Sequence, residues 1–319
     1  MQSGESIAKK VILMKVIIGL DVGGTSVKYA LVSASGAMLS KLSSRKINSS
    51  GSREEIIGSL IQIIDELFRK ARSSGYLPAG IAVGLPGPFD YENGISLIRG
   101  VGKYEAIYGL NLKEVIRKRM RLPKSFPIVF EADSWAFLHG EYWTGAARGF
   151  SKVIGITLGT GLGSAFMLNG EIIQNKFGIP KFGWIGNTHY DDGILDDRIS
   201  RRGIIARYRE LCKKYFEGID VIDIASMAKM GNICALKVFR ETGEVLGRTL
   251  AIFLNSFMAE LIVLGGSISK SSELIIPFLR KELALHNFSP KIKKSQNIES
   301  SAVIGVALYL IKKIRGEIQ

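Results

Sequence analysis

The sequence predicts an α/β protein made of two similar domains that face each other across a cleft. Two observations carry this prediction. First, the stretch "IIGLDVGGTSVKYALV" (residues 17–32) reads as a buried strand, a glycine turn and a returning strand. Second, "VIGITLGTGLGSAFML" (residues 153–168) repeats that plan. Ile18 aligns with Ile154, Gly19 with Gly155, Leu20 with Ile156, Asp21 with Thr157, Gly23 with Gly159 and Ala30 with Phe166. An internal repeat separated by helical patterns signals a duplicated supersecondary unit.

The elements follow in chain order. Val16–Leu20 reads as a buried strand, with Tyr29–Val32 and Met38–Ser43 as antiparallel partners around turns at Gly23–Gly24 and Gly36. Ser52 with Glu55 forms a capping-box pattern. Ile56, Leu60, Ile63, Ile64, Leu67 and Ala71 then recur at helical spacing. "GIAVGLPGP" is a second buried strand that runs into a Pro/Gly loop at Leu85–Pro88, and Asn111–Met120 is a short basic helix. "LPKSFP" carries two prolines and marks the expected boundary between the halves. "PIVFEAD" is a strand ending in two carboxylates, followed by a helix over Ser134–Trp143. The halves are therefore expected at 14–122 and 123–301.

Composition narrows the class. The chain has 319 residues, 46% hydrophobic and 23% charged, which fits a soluble globular protein with a large core. Cys212 and Cys234 are the only cysteines, with no CxxC, so neither a structural zinc site nor a disulfide framework is expected, and a reducing cytoplasm fits. Val153–Gly170 is long and uncharged, but its glycines and Asn169 favour a hairpin over a membrane span. The leading "MQSGESIAKKVIL" is too short in its apolar run for a signal peptide, and Met14 offers a second start directly on the first strand. The net charge is +14, from 43 basic and 29 acidic residues. These charges sit in short runs such as "KEVIRKRMRLPK", "RISRRG" and "KIKK". They read as solvated surface able to gather an anionic small molecule, with no nucleic acid expected.

The glycine turns suggest chemistry. Backbone N–H groups at such a turn approach an anion with no side chain in the way. Two turns on facing domains could hold a polyphosphate from both sides. Asp21 repels phosphate, so it makes sense there only with a cation between, and Mg²⁺ is commonly held by one carboxylate plus phosphates, often through water. Neither a Walker loop nor a Rossmann GxGxxG is present, so the nucleotide site is of another type.

"LDVGGTSVKYALV", "IAVGLPGPFDYENGIS", "FEADSWAFLHGE", "ITLGTGLGSAFMLNGEI", "AELIVLGGSIS" and "SSAVIGVALYLIKK" occur in this order. Together they resemble the ROK family of sugar kinases and sugar-responsive repressors, within the actin-like ATPase superfamily. The resemblance implies two actin-like (ribonuclease H-like) α/β domains with an interdomain cleft, the first, 14–122, completed by a C-terminal helix over 302–316. It implies an ATP-dependent hexose kinase with ATP and Mg²⁺ as cofactors, working as a cytoplasmic homodimer with a small sugar as partner and no membrane. Asp133 matches the general base; an Asp there also suits a helix N-cap, and both can hold. Asp21 would lie near Mg²⁺ through water. Gly23, Gly24, Thr25 and Lys28, with Thr157, Gly159, Thr160 and Gly161 opposite, would hold phosphate. Gly265 and Gly266 would lie against adenosine. Gly84, Pro86, Gly87, Asp133, Trp184, Asn187 and Asp196 would line the sugar site.

The departures from the family pattern fall on the sugar side. Ala132 stands where Asn is usual, Trp184 where a sugar-binding Glu is usual, Asn187 where a His is usual and Asp196 where a Glu is usual. The cysteine-rich zinc loop is missing. Trp184 offers a flat apolar wall for a pyranose face or an N-acetyl methyl, or else belongs to the core. His189 could contact the sugar in place of Asn187, or else is a surface histidine. Glucose, phosphorylated on its 6-hydroxyl, is the expected substrate, with N-acetylmannosamine or another hexosamine as the alternative. A non-catalytic sugar-binding or regulatory protein is the alternative of another class. About 16 residues precede Ile17, too few for the helix-turn-helix of a repressor.

Overall fold

The computed structural model describes residues 13–213 and 217–317. The segment 1–12, which bears on the expected absence of a signal peptide, lies outside the described residues. The first half runs β1 (Met14–Val22), β2 (Ser26–Ser33), β3 (Ser43–Lys46), α1 (Arg53–Ser73), β4 (Tyr76–Leu85), a small hairpin β5 (Phe89–Asp90) and β6 (Ile95–Ser96), α2 (Leu112–Arg119), β7 (Ile128–Ala132) and α3 (Asp133–Thr144). The second half runs β8 (Lys152–Leu158), β9 (Leu162–Leu168), β10 (Glu171–Ile173), a hairpin β11 (His189–Tyr190) and β12 (Gly193–Ile194), and α4 (Leu195–Ile199). Then come α5 (Arg201–Cys212), α6 (Val221–Lys229), α7 (Ile233–Phe257), β13 (Leu261–Gly265), α8 (Ile276–Leu285), β14 (Lys291–Lys294) and α9 (Ser301–Ile314).

The duplication read from the sequence is visible in the topology. One five-stranded sheet has the order β3-β2-β1-β4-β7 and the other β10-β9-β8-β13-β14. In each, an antiparallel hairpin opens the sheet and two parallel strands extend it beyond the first strand. Side chains buried on both faces explain why β1 and β8 read as continuous apolar runs.

Two expectations need correction. The third strand is Ser43–Lys46 rather than Met38–Ser43. The Leu39 N–H reaches the Leu31 carbonyl, but the Leu31 N–H donates to the Ser40 hydroxyl at 3.0 Å, so a side chain interrupts the ladder and only a single bridge joins Val32 to Met38. The expected boundary at 122/123 also falls too early for the sheets, because β7 hydrogen-bonds to β4 in the first sheet. The two prolines of "LPKSFP" mark a loop inside that unit.

Helix α1 shows how local and global signals agree. The Ser52 N–H donates to Glu55 at 2.7 Å and the Glu55 N–H donates back to the Ser52 hydroxyl at 3.3 Å. Its Ile56, Leu60, Ile63, Ile64, Leu67 and Ala71 are buried against the first sheet. Each larger aliphatic group buried there contributes about 1.5–3 kcal/mol. Helix α7 does the same for the second sheet, where Phe253 and Phe257 meet Phe166 with ring centroids 5.6 and 5.5 Å apart.

Helices α3 and α9 cross between these layers. A Cβ on Gly305 would overlap the Ala136 carbonyl oxygen, and one on Gly140 would overlap the Ser301 carbonyl. Glycine at both positions lets the backbones touch. Helix α9 also lies against β1 and β4, where a Cβ on Gly19 would stand 2.8 Å from the Val303 carbonyl and one on Gly80 2.6 Å from Leu310. Gly305→Ala is therefore expected to destabilise the protein by at least about 1–3 kcal/mol through overpacking. Denaturant unfolding checks this, and unchanged stability would show that the crossing can relax.

Candidate active site

Both glycine turns lie at strand ends facing the same space. Methyl groups and stems map the approach: a Cβ on Gly24 would stand 3.8 Å from Cγ2 of Thr160 in the second turn and 3.6 Å from Cδ of Lys103. The two turns therefore meet, with Lys103 beside them. The first turn is held by its neighbours. The Tyr104 hydroxyl donates to the Gly23 carbonyl at 2.5 Å, and the Ser49 hydroxyl donates to the Gly24 carbonyl at 2.6 Å. In the second turn the Gly159 N–H donates to the Gly161 carbonyl at 3.1 Å.

Asp133 opens α3 immediately after β7. Its carboxylate accepts the Ser134 N–H at 2.7 Å, so the first turn of α3 helps hold the charge. Gly84 lies opposite, where a Cβ would be 3.9 Å from the Asp133 Cα. Burial pushes the Asp133 carboxyl above the ordinary range, while the Lys103 charge and the Ser134 N–H pull it back. The other carboxylate of "FEAD" faces elsewhere: Glu131 is buried against His139, with Oε1 2.9 Å from Nδ1.

Asp21, next to last in β1, stands opposite Lys28 in the hairpin register. Enclosure pushes its carboxyl up to about 7; Lys28 opposes this, and Asp133 and Glu299 reinforce it. Lys28 is not free: its Nζ lies 2.7 Å from Glu299, which also pairs with Lys270. The two lysines hold Glu299 down at about 2.

The remaining predicted residues divide into groups. Gly159 lies next to Ser267, where a Cβ would stand 3.7 Å from its Oγ, which brings the second turn against Gly266. Gly266 has a left-handed φ of 80° and no room for a side chain against Leu158, while Gly265 is pressed by the Phe137 ring. Thr157 packs its hydroxyl against Gly163, whose built Cβ also lies 3.2 Å from Ser134. Asp196 accepts the Leu162 N–H at 2.5 Å and pairs with Arg202 at 2.6 Å, so its carboxylate closes the second turn. Pro86 is buried, and Thr25, Asn187 and His189 are exposed. Trp184 is half-buried. Its ring covers Gly87 so closely that a Cβ there would overlap it, and it stands 5.2 Å from the Phe182 ring. Tyr91 and Trp135 continue this aromatic wall, 5.7 Å apart. Trp184 thus bridges the two halves and is not a core residue of either. Sequence reasoning missed Lys103, Tyr104 and Glu299, since no motif marks them and only the folded loops bring them here.

Among the described residues, no group of three or more His, Cys, Asp or Glu side chains is arranged to hold a metal, and no helix is long and apolar enough to cross a membrane.

The Asp21 carboxyl predicts a pH-dependent stability. Its folded pKa lies above the usual value of 3.8, so its contribution to stability is fully present below about pH 4 and lost as pH rises through about 7. Asp21→Asn removes that loss. In metal-chelated buffer the variant should melt higher than the parent at pH 8 and at nearly the same temperature at pH 4. Equal melting temperatures at pH 8 would show that the carboxylate carries no such cost.

The ROK family model matches residues 17–313. Glucokinase of Thermotoga maritima is 26% identical, over 94% of this chain and 98% of its own. A xylose repressor of Caldicellulosiruptor bescii is 24% identical, over 92% of this chain and 78% of its own. A ROK family glucokinase from Streptomyces griseus, solved with glucose and AMPPNP, superposes with a TM-score of 0.75 at 22% identity, covering 92% of this chain and 98% of its own. With the family model spanning nearly all of it, and with both sheets and both glycine turns in the order described, this chain belongs to the ROK family.

Proposed function

We propose that this protein is an ATP-dependent sugar kinase that transfers a phosphoryl group to a hexose hydroxyl, with the 6-hydroxyl of glucose as acceptor. The observation that carries the reading is the meeting of Gly24 and Thr160 beside Lys103, whose charge acts on Asp133. It is supported by the glucokinase relatives and by the liganded structure of the Streptomyces griseus enzyme. ATP is read as the donor, held by the backbones of Gly23–Thr25 and Gly159–Gly161, with Gly265–Gly266 along the adenosine and Lys28 and Thr157 at the edges of the phosphate site.

The donor set fits Mg²⁺. Asp21 is a hard oxygen ligand whose charge lacks full compensation from Lys28, and one carboxylate beside phosphates is a usual setting for this ion. When bound with nucleotide it would neutralise phosphate charge. Asp133 accepts the proton of the sugar hydroxyl as the oxygen–phosphorus bond forms. The bond from the terminal phosphorus to the bridging oxygen breaks, and ADP leaves with that electron pair. Gly84, Pro86 and Gly87 form the floor on which the acceptor is oriented.

A hexosamine such as N-acetylmannosamine is the second reading. Trp184 favours it, because an indole over Gly87 offers an N-acyl methyl group contact area that a carboxylate does not. Asn187 and Asp196 would complete the sugar site only if the first turns inward and the second gives up its turn-closing bonds.

A coupled ADP-release assay across hexoses and amino sugars tests the function, and absence of transfer to any of them would favour a regulatory or binding protein. Asp133→Asn should lower kcat by on the order of 10²–10⁴-fold, with a smaller change in sugar affinity. Near-normal kcat in that variant would remove Asp133 as the base. Trp184→Ala should raise the sugar KM with kcat closer to its original value. An unchanged KM would show that the indole only closes the two halves together.

A further inference from the structure

We propose that Lys103 holds the terminal phosphoryl group of the bound nucleoside triphosphate at the junction of the two glycine turns. The inference rests on the nucleotide site proposed above and deepens it. Four observations converge on this side chain. Its stem passes 3.6 Å from the point where a Gly24 Cβ would stand, and the Thr160 methyl lies 3.8 Å from the same point. Lys103 therefore stands at the junction of both turns.

Its backbone is fastened to the first turn. The next residue, Tyr104, is 2% exposed and donates its hydroxyl to the Gly23 carbonyl at 2.5 Å, while its N–H donates to the Ser49 carbonyl at 2.6 Å. Ser49 in turn donates to the Gly24 carbonyl, and the Ser50 hydroxyl donates to the Gly102 carbonyl at 3.1 Å. On the far side the Gly102 N–H donates to Glu105 at 2.8 Å. Gly102 and Tyr104 both have left-handed φ, 71° and 58°, which bends the chain sharply around Lys103. Such a conformation is unfavourable for tyrosine and is held by these bonds.

The ammonium has no recorded salt bridge or hydrogen bond among the described residues. Other basic side chains differ: Lys28 and Lys270 share Glu299, and Arg202 is taken by Asp196. The charge of Lys103 instead acts at longer range on Asp133. An unpaired, half-buried cation on a pinned loop, beside two turns of backbone donors, is suited to phosphate rather than to a neutral sugar. During transfer it would neutralise the equatorial oxygens while the proton goes to Asp133.

The test compares two probes on the whole protein. Titration calorimetry with AMPPNP and with ADP, both with Mg²⁺, reads the contact independently of any sugar. Lys103→Met should weaken AMPPNP binding on the order of tenfold or more and change ADP binding less than twofold. Lys103→Gln should behave like Lys103→Met, and Lys103→Arg should recover most of the AMPPNP affinity. With a sugar that is turned over, kcat should fall on the order of 10²-fold at saturating substrates. Equal loss for both nucleotides, or loss for neither, would overturn the proposal. A parent protein that separates AMPPNP from ADP through Lys103 yet phosphorylates no sugar would uphold the lysine's role and reject the sugar kinase reading. A parent that binds neither nucleotide would reject both.

Discussion

The geometry of the cleft depends on the crossing of α3 and α9. At Gly140 and Gly305 the two helix backbones touch, and no side chain stands between them. Glu141, fully buried one residue later, accepts hydrogen bonds from the Ser295 and Ser301 hydroxyls and, at 2.8 Å, from the Ala146 N–H. A buried carboxylate is tolerable only with this density of donors. The consequence runs outward in both directions. Helix α9 lies on β1 and β4 of the first sheet, and α3 reaches the second sheet through Leu138 on Gly155 and Phe137 on Gly265. Asp133, at the first turn of α3, is thereby fixed relative to both glycine turns by one tightly packed helix pair.

Around this frame the cleft carries an unbalanced set of charges. Asp133 and Glu299 add to the cost of ionising Asp21, and Lys28, itself shared with Glu299, answers only in part. The imbalance is greatest at Asp21, whose carboxyl is held near 7. Such an arrangement is poor for stability and well suited to a ligand that brings its own opposite charges. The overall charge of +14 acts in the same direction at long range, drawing anions toward the molecule.

The sequence made the duplicated hairpins legible because period and glycine placement are local properties, and the capping box before α1 is local too. The position of β3 was not legible, because it turns on one hydroxyl, that of Ser40, taking the Leu31 N–H. The extent of the first unit was misjudged because prolines at a loop look the same whether the loop lies inside a sheet or between two. At the site, the residues adjoining glycine turns were visible from pattern alone. Lys103 was not, since its significance lies in a fastening of Tyr104 to Gly23 across 81 positions of sequence. Asp196 is expected at the sugar from the resemblance alone; its contacts to the Leu162 N–H and to Arg202 at the second turn are ones no spacing announces.

The indole of Trp184 resting on Gly87 also constrains how this pocket can change over evolutionary time. No residue larger than glycine fits at 87 while the ring is there. A change at 184 to a smaller or polar side chain would free that space first, and only then could 87 acquire a side chain. The two positions are therefore linked in a fixed order of substitution. A lineage that gains a side chain at 87 must change 184 first.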